Sequence, residues 1–116
     1  MSEITIYHNP RCSKSRQALN LLESRGISPR QIRYLEEPLD DKTLKSLLKK
    51  LGMSARDLLR DNEEIYRELG LQDPSVGDEK IIAAMIKFPR LIQRPIVVKG
   101  TKAVLGRPPE NVLELL

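Results

Sequence analysis

The chain has 116 residues, of which 40% are hydrophobic and 31% are charged, so we expect one globular domain with its own hydrophobic core. The net charge of +4 comes from charges of both signs mixed along the chain, and aromatic residues make up only 3%, which argues against a nucleic-acid-binding protein. A single cysteine, the lack of any apolar stretch long enough for a membrane span, and an amino terminus without a signal-peptide pattern indicate a cytoplasmic protein without disulfides.

The first third of the chain predicts a strand, a helix and a second strand. Residues 3–7 alternate in polarity and contain β-branched side chains, which is typical of a strand. The apolar residues between 13 and 25 recur at helical spacing, and Gly26 is well placed to end that helix. Residues 31–35 predict the second strand, so this part of the chain forms a β-α-β unit.

The middle of the chain is predicted to be helical, because leucines and isoleucines recur there at helical spacing. The clearest of these helices is capped by Asp40 or Asp41 and ends at Gly52. Further helices are expected from Ser54, around residues 62–69, and from Asp78 to the stop at Pro89.

The last part of the chain predicts a β-hairpin followed by a terminal helix. Residues 96–98 form an apolar run, Gly100 lies in a turn, and residues 102–105 return as the second strand of the hairpin. Pro109 suits the first turn of a helix over residues 110–116.

The order of these elements is β, α, β, a helical block, β, β, α. It matches a thioredoxin-like α/β fold, with a mixed four-stranded sheet flanked by helices. We therefore predict one domain over residues 1–116, with a helical insert at about residues 40–90.

Cys12 is the strongest candidate for chemistry, because it lies at or just before the start of the first predicted helix. The unpaired N–H groups and partial positive charge of a helix amino terminus stabilise a thiolate, the nucleophilic form of cysteine, and also bind oxyanions. Arg11, Lys14 and Arg16 add positive charge nearby. The alternative is an unreactive buried cysteine, which polar neighbours such as Asn9 disfavour.

Two other side chains near Cys12 have open roles. His8, the one histidine in the sequence, either pairs with the thiolate or orients the loop, or it is a loop histidine bonded to the backbone. Ser15 either donates a hydrogen bond to the sulfur or lies in the first helical turn without a role. Ser15 also occupies the place of the second cysteine of a C-x-x-C motif, so a redox cycle here requires an external thiol.

Three arginines outside this loop have less specific settings. Arg94 precedes Pro95 at a strand start and Arg107 follows a strand, and loops at strand ends often hold ligands. The planar guanidinium group suits tetrahedral oxyanions. Taken alone, a position on the solvated surface is the default interpretation for these two arginines and for Arg60. The sequence contains no Cys/His cluster for zinc, no phosphate-binding loop and no dinucleotide-binding motif.

The segment His-Asn-Pro-Arg-Cys-Ser-Lys-Ser-Arg, residues 8–16, resembles the active-site loop of the glutaredoxin-coupled arsenate reductases. The similarity continues in the same order along the rest of the chain. It includes residues 34–38, 55–60, 66–71, 94–98 and 106–109, and so covers essentially the whole sequence.

The resemblance implies a thioredoxin-like fold and roles for several residues. Pro95 matches the proline that is cis in such folds, and Cys12 is implied to be the nucleophile. The other implied roles are help in setting the thiolate and the loop, by His8, Ser15 and Arg16, and an oxyanion site, formed by Arg60, Arg94 and Arg107.

The resemblance also implies the reaction and its partners. Arsenate is reduced to arsenite, glutathione is the co-substrate, and glutaredoxin resolves the mixed species. The family implies a monomer with no metal and no bound cofactor. Ser13-Lys14 departs from the Gly-Thr that follows the cysteine in the best-known members and resembles an arsenate-reductase-like branch, which leaves the physiological oxyanion open.

Two other functions fit the same fold. One is a glutathione-dependent thiol reductase that acts on another substrate. The other is an Spx-type regulator that binds RNA polymerase, which the retained arginines and the missing C-x-x-C motif disfavour.

Overall fold

The computed structural model describes residues 3–37, 39–61 and 63–116. Two compact units are present: one combines the residues up to 37 with Arg94–Leu116, and the other is the segment between them. The predicted helical insert falls in the second unit, while the description of the whole chain as one domain stays a prediction. In the described ranges, no helix is both long enough and apolar enough to cross a membrane.

The first unit is built on a mixed four-stranded sheet. Its elements are β1 (Ile4–Tyr7), α1 (Ser13–Ser24), β2 (Arg30–Ile32), β3 (Ile96–Lys99), β4 (Lys102–Leu105) and a 3₁₀ helix (Pro109–Leu115). The strand order is β2-β1-β3-β4. The two neighbours of β1 are β2, which is parallel to it, and β3, which is antiparallel, while β3 and β4 form an antiparallel hairpin. The predicted β-α-β unit and hairpin are therefore confirmed.

Helix α1 and the 3₁₀ helix pack against the sheet through apolar side chains. The cluster contains Ile4, Ile6, Ala18, Leu22, Val97, Val112 and Leu115. Alternate residues of a strand share one face, which explains why Ile4 and Ile6 both enter it. Burial of each larger side chain contributes about 1.5–3 kcal/mol. This packing holds α1 on the sheet, and the short β1–α1 loop fixes where the helix begins.

Two predicted elements of the first unit differ in the structure. The second strand ends at Ile32 rather than at residue 35, because the backbone N–H groups of Glu36 and Glu37 both donate to the Arg33 carbonyl and close a turn around the buried Tyr34. The terminal helix is a 3₁₀ helix that starts at Pro109, one residue earlier than predicted.

The second unit is helical, as the spacing of its apolar residues predicts. Asp40 caps the first of its helices by accepting from the Thr43 N–H at 2.7 Å, and Gly52 ends it with a φ of +68°. The predicted helix start at Asn62 lies outside the described residues. The helices are α2 (Asp41–Leu51), α3 (Ala55–Leu58), α4 (Glu64–Glu68), α5 (Asp78–Lys87) and a 3₁₀ helix (Pro89–Leu91).

Candidate active site

The loop between β1 and α1 is held by backbone hydrogen bonds that place Cys12 at the helix start. The His8 N–H donates to the Ile32 carbonyl at 2.8 Å, which ties the loop to the end of β2. The Cys12 N–H donates to the Asn9 carbonyl at 3.0 Å, and the Cys12 carbonyl accepts from the Arg16 N–H at 3.0 Å. Cys12 is the N-cap residue of α1, as the sequence predicts, so its side chain lies beside the unpaired N–H groups of the first turn.

The surroundings of the Cys12 sulfur favour the thiolate. Partial burial alone raises the pKa of the Cys12 thiol, but hydrogen bonds from the backbone N–H groups of Ser15 and Lys14 and from the Arg94 side chain lower it. The positive charge of Arg94 lowers it further, and the resulting pKa lies below the usual value for cysteine. The side chain is half-buried rather than enclosed, which leaves the nucleophile accessible.

Arg94 lies beside the thiol, and one of its N–H groups is available to donate a hydrogen bond. It directly precedes Pro95, and the Arg94–Pro95 peptide is cis, as the resemblance implies. Its Nε is buried and forms no hydrogen bond with the part of the chain that the structure describes. A buried N–H without an acceptor costs free energy, so an anion that accepts from this group is favoured there.

His8 and Ser15 form a buried pair under the loop. The His8 Nδ1 lies 2.7 Å from the Ser15 Oγ, and the Asn9 N–H donates to the same oxygen at 3.0 Å. Burial lowers the pKa of His8, and the positive charge of Arg33 lowers it further. A neutral imidazole that accepts the Ser15 hydroxyl proton fits these surroundings. Of the roles left open for His8, orientation of the loop is the one that a described contact supports, namely the hydrogen bond with Ser15.

Arg16 and Arg107 also belong to the first unit, but both are exposed to solvent. Arg16 follows Cys12 by one helical turn, and the described contact between them is through the backbone. The Arg107–Pro108 peptide is cis, and the Asn111 side-chain amide donates to the carbonyls of Leu105 and Arg107. The Asn111 amide thus holds the backbone next to Arg107, whose side chain has no described partner.

Arg60 belongs to the second unit and has an acidic partner there. Its backbone N–H donates to the Leu91 carbonyl at 2.7 Å, next to the bridge between Leu59 and Ile92. Its Nη1 lies 3.2 Å from the Glu63 Oε1, an ion pair by distance, although this buried Nη1 makes no hydrogen bond within the described residues. The other oxygen of that carboxylate lies 3.8 Å from Arg90 Nη2. Sequence reasoning missed Glu63, because neither Glu63 nor Arg60 lies within a helix, where an ion pair at this spacing would be expected.

The first unit thus brings Cys12, Arg94, Ser15 and His8 together. The contact between Arg94 and Cys12 joins segments distant in the sequence. Among the residues that are described, no group of three His, Cys, Asp or Glu side chains is arranged to hold a metal ion. The arrangement is that of a thiol nucleophile with an adjacent cationic donor, which can attack and hold an oxyanion.

The chain matches the model of the ArsC family over residues 7–115 and belongs to that family. It is 47% identical to an arsenate reductase of Neisseria meningitidis over the full length of both chains. It is 55% identical to the uncharacterized protein YfgD of Escherichia coli K12, over 98% of this chain and 97% of YfgD. The solved arsenate reductase from Vibrio cholerae is 49% identical and superposes with a TM-score of 0.96, covering 99% of this chain and 98% of that one. These similarities confirm the predicted family and its thioredoxin-like fold.

Proposed function

We propose that this chain is an arsenate reductase in which Cys12 is the nucleophile. The observation that supports it best is the Cys12 thiol, whose pKa is lowered by the helix N–H groups and by Arg94. The buried Arg94 Nε also lacks an acceptor within the described residues. Membership of the ArsC family, with arsenate reductases among the full-length relatives, supports arsenate as the oxyanion.

The first chemical step is attack of the Cys12 thiolate on arsenic. A sulfur–arsenic bond forms, and an oxygen of arsenate takes up protons and leaves as water. Arg94, with Arg60 and Arg107 as the other proposed members of the oxyanion site, offsets the repulsion between two anions. His8 and Ser15 hold the loop in place, and Arg16 adds positive charge near the thiolate.

The second step transfers two electrons to arsenic. Glutathione attacks the adduct, its sulfur bonds to the Cys12 sulfur, and the electron pair of the sulfur–arsenic bond stays with arsenic, so that As(V) leaves as arsenite, As(III). Glutaredoxin then reduces the mixed disulfide and regenerates Cys12. The chain has one cysteine, which supports this use of external thiols. We further propose that the enzyme is a cytoplasmic monomer without a bound cofactor.

Arsenate-dependent oxidation of NADPH, coupled through glutathione, glutaredoxin and glutathione reductase, tests this function. The wild-type protein is expected to turn over arsenate, and Cys12→Ser is expected to lose that turnover because a hydroxyl does not ionise near neutral pH. Ser13→Ala is the matched control, since the neighbouring residue is exposed and polar but supplies no sulfur.

Two results contradict the proposal in different ways. A wild-type protein that oxidises no NADPH with arsenate, while Cys12 still alkylates rapidly below the usual thiol pKa, is a thiol reductase of another substrate. Ser13-Lys14 beside the nucleophile and the 55% identity to an uncharacterized relative make this the second candidate. Equal turnover in wild type and Cys12→Ser removes Cys12 from the reaction.

A further inference from the structure

A cavity of about 240 Å³ lies on the first unit, between the β1–α1 loop and the turn after β2. Its walls include two buried polar side chains, His8 and Asn9, and three exposed charged ones, Arg11, Arg33 and Glu36. The loop that carries Cys12 therefore also forms part of this cavity. Cys12 itself is not among the residues that line it.

The charged side chains around this cavity carry a net positive charge. Arg11 and Arg33 contribute two guanidinium groups and Glu36 one carboxylate, and none of the three forms an ion pair within the described parts of the chain. The charge of Arg33 reaches His8, where it adds to the effect of burial in lowering the imidazole pKa. An anionic group in the cavity would offset that charge.

The position of the cavity relates it to the nucleophile. Arg11, which lines the cavity, directly precedes Cys12, and consecutive Cα atoms are about 3.8 Å apart. A ligand in the cavity would therefore contact the loop that carries Cys12. Pro10 and Leu35 supply apolar wall that suits the methylene groups of such a molecule. Two cations and one anion in the wall match a ligand with two carboxylates and one ammonium group.

We propose that this cavity binds the carboxylate-bearing end of the reducing thiol, a small zwitterionic thiol of the glutathione type. Arg33 and Arg11 bind its carboxylates and Glu36 its ammonium group. The proposal rests on the proposed function, because that function is what requires an external thiol. It adds a substrate-binding role for Arg33, outside the arginines of the oxyanion site.

His8 provides a direct test, because it is the one histidine in the chain and lies in the cavity wall. S-methylglutathione, which has no free thiol and cannot react with Cys12, is titrated into the protein while the His8 ring protons are followed by NMR. We expect a saturable shift of the His8 signals and a higher His8 pKa in the complex. Arg33→Gln is expected to weaken this binding about tenfold, the loss typical of one charge-assisted hydrogen bond.

Arg30→Gln is the matched control, since it removes the same charge from the same strand region at a residue outside the cavity. It is expected to leave the affinity unchanged. A His8 signal that does not respond to S-methylglutathione, or equal weakening by both variants, overturns the proposal. Sulfate that shifts His8 as strongly at the same concentration also overturns it, because the cavity is then a site for free anions rather than for the thiol.

Kinetics separates this proposal from the proposed function. Arg33→Gln is expected to raise KM for glutathione about tenfold, with KM for arsenate and the Cys12 pKa unchanged. Saturable binding of S-methylglutathione by a protein that does not turn over arsenate leaves the cavity assignment standing and removes only arsenate. If the wild-type protein turns over arsenate but Arg33→Gln has an unchanged KM for glutathione, the cavity assignment is wrong and the proposed function stands.

Discussion

The guanidinium groups of Arg94 and Arg60 have different electrostatic surroundings, although the family resemblance implies the same role for both. Arg94, in the first unit, lies beside the Cys12 thiol, and its buried Nε has no acceptor in the part of the chain that the structure describes. Arg60, in the second unit, is already paired with Glu63, whose carboxylate also faces Arg90. Both side chains are shielded from water, since only 11% of the Arg60 side chain is exposed and Arg94 is half-buried.

In the proposed oxyanion site the two arginines would therefore contribute differently. Arg94 has no acidic partner among the described residues, and its charge also lowers the pKa of the nucleophile. The charge of Arg60 is partly offset by Glu63, so in the proposed site that carboxylate would compete with the substrate for it. Substitutions that change one of these situations and leave the other intact test the distinction.

Arg94→Gln is expected to have the largest effect on catalysis. This substitution removes both the positive charge beside the thiol and the Nε donor. Loss of one such donor typically lowers the rate about 100-fold. The thiolate is the reactive form, so kcat/KM rises as pH rises through the Cys12 pKa. In the wild-type protein this inflection lies below the usual thiol value of about 8.5, and in Arg94→Gln it moves to higher pH. The measurement is a pH profile of kcat/KM.

The control for this variant is Arg25→Gln, which removes one exposed charge at the far end of α1. Its pH profile is expected to match the wild type. An Arg94→Gln profile with the wild-type inflection would mean that the helix amino terminus alone activates the thiol.

Gly106→Ala tests the backbone support of Arg94. A Cβ at residue 106 would lie 2.8 Å from the Pro95 Cγ and 3.1 Å from the Ala18 Cβ, so the segment next to Arg94 or helix α1 has to move. Overpacking of this kind costs about 1–3 kcal/mol of unfolding free energy. Denaturant unfolding measures this loss, and we expect Cys12 alkylation to slow as Arg94 shifts.

Gly77→Ala is the control for that substitution, because its φ of −82° is open to alanine and no atom lies within 4 Å of the added Cβ. We expect a change of less than about 0.5 kcal/mol, since the loss at the cap and the gain in chain entropy nearly cancel. Equal losses at Gly106 and Gly77 would show that the contact with Pro95 does not matter.

Glu63→Gln is expected to have the smallest effect of these substitutions, and to improve the enzyme's action on arsenate rather than impair it. A neutral amide no longer competes for Arg60, so KM for arsenate should fall about two- to fivefold, the range expected from a weak ion pair. Steady-state kinetics at varied arsenate measures it, with kcat expected to stay near the wild-type value. Glu64→Gln, an exposed carboxylate one residue later, is the matched control. A rise in KM would show that Glu63 orients Arg60 rather than competes for it.

Features set by local sequence are the ones that could be predicted. Asp40 and Gly52 at the two ends of α2 follow from capping preferences that act over a few residues. The start of α1 next to Cys12 follows from the helical spacing of the apolar residues after the loop. The β2 boundary was predicted wrongly because residues 33–35 have strand-like composition, whereas the Arg33 carbonyl closes a turn around them. The local sequence pattern does not show which of the two hydrogen-bonding arrangements, strand or turn, these residues adopt.

Contacts between distant segments could not be predicted from the residues alone. The resemblance implied roles for Arg94 and Ser15, but no spacing rule joins Arg94 to Cys12 or the His8 ring to the Ser15 hydroxyl. The cavity beside His8 was missed for the same reason, because it depends on which elements the fold brings together.

The presence of a single cysteine affects how Cys12 responds to oxidation by peroxide. A half-buried thiol with a lowered pKa reacts readily with peroxide to a sulfenic acid, and a neighbouring cysteine normally protects that species by forming a disulfide. Ser15 occupies the place where such a neighbour would stand, so protection of Cys12 falls to thiols in solution. When those thiols run short, we expect oxidation of Cys12 to proceed to the sulfinic acid, which thiols do not reverse.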